Sequence, residues 1–284
     1  MITPFTGEEV DEARMRDLLT RQQRAGTAAV VLAGTTGESA TLRSREFERL
    51  IALGVGDASG KMRVIAGIGG NDTAACLNKA LFAQSAGADA VLMTPPYYNK
   101  TTQAGVIRHF CQVADRLQIP LILYNVPGRT AIGIDRDTYK ALSRHPNING
   151  VKEASGDISL AAFLASECAD GLNLWSGNDD LTVPMMALGA KGVISVVSNL
   201  VPEAVAALCK ACLEEDYAAA REYCRRYAEL YRLLFVETNP IPIKAAMELC
   251  GLDSGQLRLP LVELTAPNRE MLRACMRHLG LPLR

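Results

Sequence analysis

The 284-residue sequence predicts an α/β fold, a (β/α)₈ TIM barrel followed by a C-terminal helical extension. Short apolar, β-branched runs recur with starts about 20 to 35 residues apart, and amphipathic segments lie between them, which is typical of βαβ units and a parallel sheet. Each run is apolar throughout, as strands buried on both faces must be, so a closed barrel fits better than an open sheet. After Pro202 the pattern predicts helices without strands.

Seven apolar runs are predicted strands, and residues 2–5 are a candidate for an earlier, truncated one. The barrel would then begin almost at Met1, so we expect either a barrel that tolerates a short first strand or a start codon further upstream. The seven predicted strands are residues 28–33, 63–66, 90–94, 120–124, 148–152, 172–176 and 192–195.

The segments between and after the strands are predicted helices. Those within the barrel are residues 44–53, 74–86, 102–117 and 159–169, and those after it are residues 202–215, 217–235, 243–249 and 267–279. Proline at or near the first helical position marks two of the later starts. The sequence therefore predicts a (β/α)₈ catalytic barrel over residues 1–215. A C-terminal helical domain over residues 216–284 would cap it or build a subunit interface.

Composition excludes several classes of protein. Hydrophobic residues make up 49% of the chain and charged residues 21%, with a formal net charge of −1. Nothing in this balance favours a nucleic-acid or membrane partner. No apolar run reaches the roughly 18 residues of a membrane span, and no basic segment followed by an apolar one forms a signal peptide. We therefore expect a cytoplasmic protein.

The eight cysteines are scattered, and in a cytosolic chain they are typical of small core hydrophobes. Cys209 and Cys212 form a CxxC pair, but no second pair and no nearby histidine completes a zinc set. We expect this pair to serve packing, with metal or redox use as the alternative, and we predict no metal site.

Polar or aromatic residues follow five of the predicted strands. Since a (β/α)₈ barrel forms its active site at the carboxyl ends of its strands, these side chains should converge. This convergence predicts an enzyme. The segments are Gly34-Thr35-Thr36-Gly37-Glu38-Ser39, Thr94-Pro95-Pro96-Tyr97-Tyr98-Asn99, Tyr124-Asn125-Val126-Pro127-Gly128-Arg129-Thr130, Lys152-Glu153-Ala154-Ser155-Gly156 and Ser176-Gly177-Asn178-Asp179.

Lys152 is the strongest single candidate, because it ends an apolar strand where its side chain would enter the barrel mouth. We expect desolvation there to disfavour its ammonium form, and a neutral amine can attack a ketone to form an imine. The alternative is a lysine that extends to solvent or pairs with Glu153.

Tyr124 and Arg129 have weaker signals. Tyr124 ends an otherwise apolar strand, so its hydroxyl needs a partner or a chemical role, such as proton transfer during imine formation; a core tyrosine with a backbone partner is the alternative. Arg129 follows a Pro-Gly turn and could bind a carboxylate bidentately, although a surface arginine is the default for a loop. The turn around Thr35 and Thr36 could hold a small carboxylate, but it is not a phosphate loop.

Seven segments together resemble the motifs of the dihydrodipicolinate synthase family, within the N-acetylneuraminate lyase and class I pyruvate aldolase superfamily. The resemblance runs from about Thr3 to the C-terminus, and YNVP followed by Gly-Arg-Thr is specific to the synthase branch. The segments, in chain order, are GTTGESATL, TPPYYNK, YNVPGRT, VKEASG, SGND, LTVPMMALGAKGVISV and ETNPIPIK.

The resemblance implies condensation of pyruvate with L-aspartate 4-semialdehyde to 4-hydroxy-tetrahydrodipicolinate, in lysine and diaminopimelate biosynthesis. It implies a homotetramer built as a dimer of dimers, and no metal or organic cofactor. By position, Lys152 would be the Schiff-base lysine and Tyr124 the proton shuttle. Thr35 would link Tyr124 to Tyr98, which the neighbouring subunit lends.

The resemblance also implies the substrate contacts. Thr36 would hold the carboxylate of pyruvate, and Arg129 the carboxylate of the semialdehyde. Gly177 and Ile194 would contact substrate through their backbones.

One departure from the family pattern concerns feedback. Feedback-inhibited members carry a histidine at the position of Phe47 and a glutamate at that of Ala75, and a further histidine position is Ser44 here. We predict that L-lysine inhibits this protein weakly or not at all. In those members lysine binds at the tight-dimer interface, near the positions of Ser39, Ala40, Asn71 and Tyr97.

Two alternatives stay open. A 2-keto-3-deoxy sugar acid aldolase or an N-acetylneuraminate lyase would use the same imine chemistry, but Arg129 argues against a polyol substrate, which needs hydroxyl partners there. A non-catalytic barrel that binds a small keto acid is the rival from another class. The complete set of Lys152, Tyr124, Thr35, Tyr98 and Arg129 argues against it.

Overall fold

The computed structural model describes residues 1–58 and 60–284. Strands and helices alternate through the first two thirds of the chain, and helices alone fill the remainder, as predicted. The strands are β1 (Phe5–Thr6), β2 (Glu9–Val10), β3 (Ala29–Leu32), β4 (Arg63–Gly67), β5 (Ala90–Met93), β6 (Leu121–Asn125), β7 (Ile148–Glu153) and β8 (Asn173–Ser176). The helices are α1 (Glu12–Arg24), α2 (Ser44–Ala58), α3 (Thr73–Ser85), α4 (Gln103–Ala114), α5 (Pro127–Thr130), α6 (Arg136–Leu142), α7 (Ile158–Glu167), α8 (Thr182–Ala187), α9 (Pro202–Leu213), α10 (Tyr217–Leu233), α11 (Ile241–Leu249) and α12 (Ala266–His278).

Strands β3 to β8 form one six-stranded sheet in chain order. Strands β4 to β8 pair in parallel, each with the next along the chain. Every residue of β5 and β6 is buried, which agrees with the continuous apolar runs that predicted them. The α/β class and six predicted strand positions are therefore confirmed.

The prediction of a strand at residues 2–5 is wrong in detail. Only Phe5 joins a strand, and β1 pairs antiparallel with β2 instead of entering the parallel sheet. The amine of Met1 donates to the Val31 carbonyl at 2.7 Å, and the Ile2 N–H donates to Asn199 Oδ1 at 2.9 Å. Pro4 then has no N–H to donate, so a regular strand ladder does not form.

The prediction of a strand at residues 192–195 is also wrong in detail. Pairing is limited to an isolated parallel bridge between Ser176 and Val193. The Ser176 N–H donates to Gly192 and the Ile194 N–H donates back to Ser176, at 2.9 and 2.8 Å. The backbone turns helical at Val196, just before a 3₁₀ turn at Val197–Asn199, and this ends the pairing after one residue.

The chain divides into two compact units. Residues 64–194 form the central unit, and residues 1–63 with 195–284 form the two-segment unit. The predicted boundary between residues 215 and 216 lies between α9 and α10, and the assignment of a barrel and a separate helical domain stays a prediction.

The helices of the two-segment unit follow their sequence signals. Helix α10 has Asp216 as its N-cap residue, and the Asp216 carboxylate accepts the Ala219 N–H at 2.9 Å, which satisfies one of the free amides of the first turn. Its apolar stripe is buried, as are Leu272 and Met276 of α12, and these residues belong to one hydrophobic cluster. None of the helices described in residues 1–58 and 60–284 is long and apolar enough to cross a membrane.

Candidate functional site

The ends of β6 and β7 bring Tyr124 and Lys152 together in the central unit. The two residues are direct partners in the parallel register, so their side chains leave the sheet on the same face. Lys152 Nζ lies 4.3 Å from the centroid of the Tyr124 ring, within the range of a cation–π contact. Lys152 is 9% exposed and Tyr124 is 8% exposed. The structure therefore places the predicted nucleophile and the predicted proton shuttle side by side in a buried setting.

The next residue along β7, Glu153, faces the other way because side chains alternate along a strand. Its buried carboxylate accepts hydrogen bonds from Asn125 Nδ2 at 2.9 Å, from the Tyr139 hydroxyl at 2.9 Å and from the Ser155 N–H at 2.7 Å. Three hydrogen-bond donors other than Lys152 thus contact this carboxylate, which disagrees with the alternative that Lys152 pairs with Glu153. The low exposure of Lys152 likewise disagrees with a lysine that extends to solvent.

Sequence reasoning missed the network around Glu153. Asn125 and Glu153 are also register partners. They lie next to each other on one face of the sheet, as Tyr124 and Lys152 do on the other. The Asn125 side chain reaches further, since its Oδ1 accepts the Ile134 N–H at 3.2 Å. The available signal was an amide and a carboxylate that directly follow the two site residues at the ends of apolar strands.

Tyr139 supplies the third side chain of this network and is fully buried. Burial, and then the nearby charge of Glu153, raise the pKa of Tyr139 well above its ordinary range. The phenol therefore keeps its proton at neutral pH and donates it in a hydrogen bond to the carboxylate. The network links β6 and β7 on the face of the sheet opposite to the one that carries Lys152 and Tyr124.

Gly177 and Ile194 lie beside the ends of β7 and β8. The Gly177 N–H donates to the Glu153 carbonyl at 2.7 Å, and the Ile194 N–H donates to the Ser176 carbonyl at 2.8 Å. A Cβ at position 177 would lie 2.5 Å from the Cβ of Ala154, so the close approach of the two backbones requires glycine. Both residues thus have their N–H groups engaged and their carbonyl groups as the remaining backbone contacts.

Arg129 and Tyr98 are the more exposed members of the predicted set. Arg129 lies on α5, which starts with Pro127 at its first position, and its side chain is exposed. Tyr98 is 90% exposed and has a φ of +67°, a left-handed conformation that is uncommon for a residue with a side chain. Both follow strands of the central unit, but neither has the buried setting of Lys152.

Thr35 and Thr36 lie in the two-segment unit, in the turn between β3 and α2. Three backbone hydrogen bonds close this turn, with Gly34 accepting two of them and Thr35 one. The Thr36 hydroxyl accepts from Asn239 Nδ2 at 3.0 Å. The structure therefore holds both predicted threonines in a hydrogen-bonded turn of defined geometry.

The cysteine pair of the sequence lies on α9. None of the eight cysteines forms a disulfide, and Cys212 is buried. Burial raises the pKa of the Cys212 thiol, which lowers its reactivity. Within the residues that the structure describes, no group of three or more His, Cys, Asp or Glu side chains is placed to hold a metal ion.

Comparisons with known proteins agree over the whole chain. The model of the dihydrodipicolinate synthetase family matches residues 1–279. The chain is 43% identical over 282 residues to a 4-hydroxy-tetrahydrodipicolinate synthase of Thermoanaerobacter sp. (strain X514), covering 99% of this chain and 95% of the relative. It is 44% identical over 283 residues to the enzyme of that name from Persephonella marina, covering 99% and 97%.

Solved structures show the same likeness. The structure of dihydrodipicolinate synthase from Aquifex aeolicus superposes with a TM-score of 0.98 at 42% identity, covering 100% of this chain and 97% of the other. That from Thermotoga maritima gives a TM-score of 0.96 at 38% identity, covering 99% and 97%. This likeness confirms the predicted fold class.

Proposed function

Because the chain belongs to the dihydrodipicolinate synthetase family, we propose that it condenses pyruvate with L-aspartate 4-semialdehyde through an imine on Lys152. The product would be 4-hydroxy-tetrahydrodipicolinate, in lysine and diaminopimelate biosynthesis. The observation that carries the proposal is the buried contact of Lys152 Nζ with the Tyr124 ring, 4.3 Å away at the ends of adjacent strands. This contact supports the proposal, because a class I lyase needs an amine and a proton donor close together.

The chemistry begins with the amine of Lys152, which attacks the ketone carbon of pyruvate. The carbonyl oxygen takes up protons, with Tyr124 as the donor, and leaves as water, so that a protonated imine remains. This cation withdraws electrons from the methyl carbon, which loses a proton to give an enamine. The imine thereby does the work of an organic cofactor, and the reaction needs none.

The enamine carbon then attacks the aldehyde carbon of the second substrate and forms the new carbon–carbon bond. The aldehyde oxygen takes a proton, and the imine is restored. The amine of the second substrate adds to the imine carbon and displaces the amine of Lys152, which closes the ring and frees the enzyme.

Proton transfer would use Thr35 to link Tyr124 with Tyr98, and Tyr98 would come from the neighbouring subunit. The 90% exposure of Tyr98 in the single chain supports this role, because a large aromatic side chain on the surface is typical of an interface. We accordingly propose a cytoplasmic homotetramer built as a dimer of dimers, in which the site needs two chains to be complete.

Substrate carboxylates would bind to Thr36, in the case of pyruvate, and to Arg129, in the case of the semialdehyde. An exposed guanidinium can bind a carboxylate bidentately, and the side chain of Arg129 on the short helix α5 is exposed. Gly177 and Ile194 would offer their carbonyl oxygens, because their N–H groups already donate within the chain.

Borohydride reduction tests the proposal. With pyruvate present, reduction is expected to fix a pyruvate-derived group on Lys152, which intact mass and peptide mapping would detect. Lys152→Arg should give no adduct and no condensation of the two substrates. The matched control Lys191→Arg changes an exposed lysine of the same unit and should behave as wild type.

An adduct elsewhere, or full activity in Lys152→Arg, would contradict the assignment of the nucleophile. Faster turnover of a sugar acid than of aspartate semialdehyde would keep the nucleophile and overturn the substrate.

A further inference from the structure

Lys244 and Glu38 form an ion pair in the interior of the two-segment unit. Their side chains are 0% and 1% exposed, and Lys244 Nζ lies 2.6 Å from Glu38 Oε1. The ammonium also donates to the Gln256 carbonyl at 2.6 Å and lies 4.2 Å from the centre of the Phe5 ring. These contacts fix the position of the Lys244 ammonium from three sides.

Glu38 ends the turn that carries Thr35 and Thr36. Its φ is +54°, a left-handed conformation that is unfavourable for a residue with a Cβ. Its second carboxylate oxygen, Oε2, accepts the Arg258 N–H at 3.0 Å. Because both oxygens have partners outside the turn, contacts from distant parts of the chain hold the strained end of the turn in place.

Asn239 provides a second contact to the same turn. Its Nδ2 donates to the Thr36 hydroxyl at 3.0 Å, five positions before Lys244 in the segment that leads into α11. The Thr3 hydroxyl adds a third, since it donates to the Gly37 carbonyl at 2.7 Å. Contacts from outside the turn therefore hold it at the Thr36 hydroxyl, the Gly37 carbonyl and the Glu38 carboxylate.

The ion pair is a poor way to gain stability alone. Burial lowers the pKa of Lys244, and the charge of Glu38 opposes that shift only as the second cause. Replacing a buried ion pair by apolar groups of similar volume is often neutral or stabilising, since two charges no longer have to leave water. A role in geometry explains the pair better than a role in stability.

We propose that Lys244 and Asn239 are positioning residues that hold the Thr35–Thr36 turn in the geometry that binds the carboxylate of the keto acid. The inference rests on the proposed function, because it assigns these residues to the pyruvate step. Neither residue would touch substrate, and each would act through the turn.

Pyruvate trapping by borohydride measures this step without the second substrate. In the double variant Glu38→Gln with Lys244→Met, both charges are removed and the volume is nearly kept. The pyruvate concentration for half-maximal trapping is expected to rise about tenfold or more relative to wild type. A rise of this size corresponds to the binding free energy of one well-placed charge-assisted contact. Leu272→Ala serves as the matched control, since it loosens the buried cluster of the same unit without touching the turn.

A second variant keeps the inference testable if the double variant does not fold. Asn239→Ala removes the donor to Thr36 and should raise the half-saturating pyruvate concentration about threefold. In a Thr36→Ala background the same change should add nothing, because its effect passes through the missing hydroxyl.

A wild-type chain that traps no pyruvate would overturn the proposed function, and this inference with it. Trapping in wild type with unchanged half-saturation in Asn239→Ala, or the same rise in Leu272→Ala as in the double variant, would overturn this inference alone.

Discussion

Lys152 and Tyr124 face each other across adjacent parallel strands, with the amine 4.3 Å from the centre of the ring. The geometry separates two properties of Tyr124. Its ring packs against the lysine, whereas its hydroxyl is the group that can carry a proton. Substitutions can therefore remove one property and keep the other.

Tyr124→Phe keeps the ring and removes the hydroxyl. We expect kcat to fall by about 10²–10³, in the range of general acid–base catalysis, while the melting temperature stays close to that of wild type. Steady-state kinetics and a thermal melt check both. Tyr227→Phe, on a half-buried tyrosine of α10, is the control and should change neither. Wild-type kcat in Tyr124→Phe would remove the hydroxyl from the mechanism.

Glu153→Gln tests the network behind the two site residues. The change replaces a carboxylate that accepts from Asn125, Tyr139 and Ser155 by a group with only one accepting oxygen. At least one buried donor loses its partner, so we expect a loss of about 1–3 kcal/mol in the free energy of unfolding. Urea denaturation measures this loss.

Tyr139→Phe should show a smaller loss than Glu153→Gln, because it removes only one of the three donors. If Glu153→Gln were as stable as wild type, the carboxylate would not be holding the strands together.

Gly177→Ala adds a methyl group where the chain has no room. A Cβ there would lie 2.5 Å from that of Ala154, so the end of β8 must shift. A displacement of about 1 Å at a site can reduce the rate about 10²-fold, and we expect kcat/KM to fall on that scale. Gly128→Ala is the control, since a Cβ there meets nothing within 4 Å and should leave the rate unchanged.

Glu46 predicts a pH dependence of stability. Its hydrogen bonds with Arg258 lower the pKa of the Glu46 carboxyl below its ordinary range. A lowered folded-state pKa adds stability above the unfolded pKa, and this stability disappears as pH falls through the folded pKa. The difference in unfolding free energy between wild type and Glu46→Gln should therefore be largest near neutral pH. It should shrink below about pH 4.

Asp253 should show the opposite trend. Burial raises the pKa of Asp253, so the folded chain favours the protonated form, and wild type loses stability as pH rises through the ordinary range of an aspartate. Relative to wild type, Asp253→Asn should gain stability with rising pH over that interval. If the stabilities of Glu46→Gln and Asp253→Asn, each relative to wild type, changed with pH in the same direction, these two carboxyls would not be the cause of the pH dependence.

Lysine feedback is predicted to be weak or absent. Phe47 is 3% exposed on α2, and Ala75 is exposed on α3, so neither position offers a charged or hydrogen-bonding side chain to an amino-acid ligand. Condensation rates with increasing L-lysine should be unchanged up to about 1 mM, where binding would amount to only about 4 kcal/mol. Half-maximal inhibition below that concentration would overturn the prediction.

The parallel strands could be predicted because their signal is local. Runs such as the one that forms β6 are apolar at every position before their last residue, and burial on both faces requires that pattern. Residues 192–195 show the same pattern but form only a bridge, because the turn at Val197–Asn199 follows at once. Helix α1 was missed because most of its residues are polar, and only a narrow stripe around Leu18 and Leu19 is buried.

The core of the site was also within reach of sequence reasoning. Lys152 and Tyr124 end consecutive strands, and consecutive parallel strands place their ends together. The ion pair of Lys244 and Glu38 could not be predicted from the sequence. These residues are 206 positions apart, and a lysine within the apolar run IPIK has no local signal of a buried partner. The roles of the eight predicted site residues remain predictions.

The ion pair between Lys244 and Glu38 limits how this chain can be recombined with its relatives. A chimera that takes the start of the chain from one parent and its last third from another would combine the turn that carries Glu38 and the helix that carries Lys244 from two different proteins. If one parent lacked either charge, the other charge would be sealed inside without a partner. Crossover points are therefore best chosen so that both positions come from the same parent.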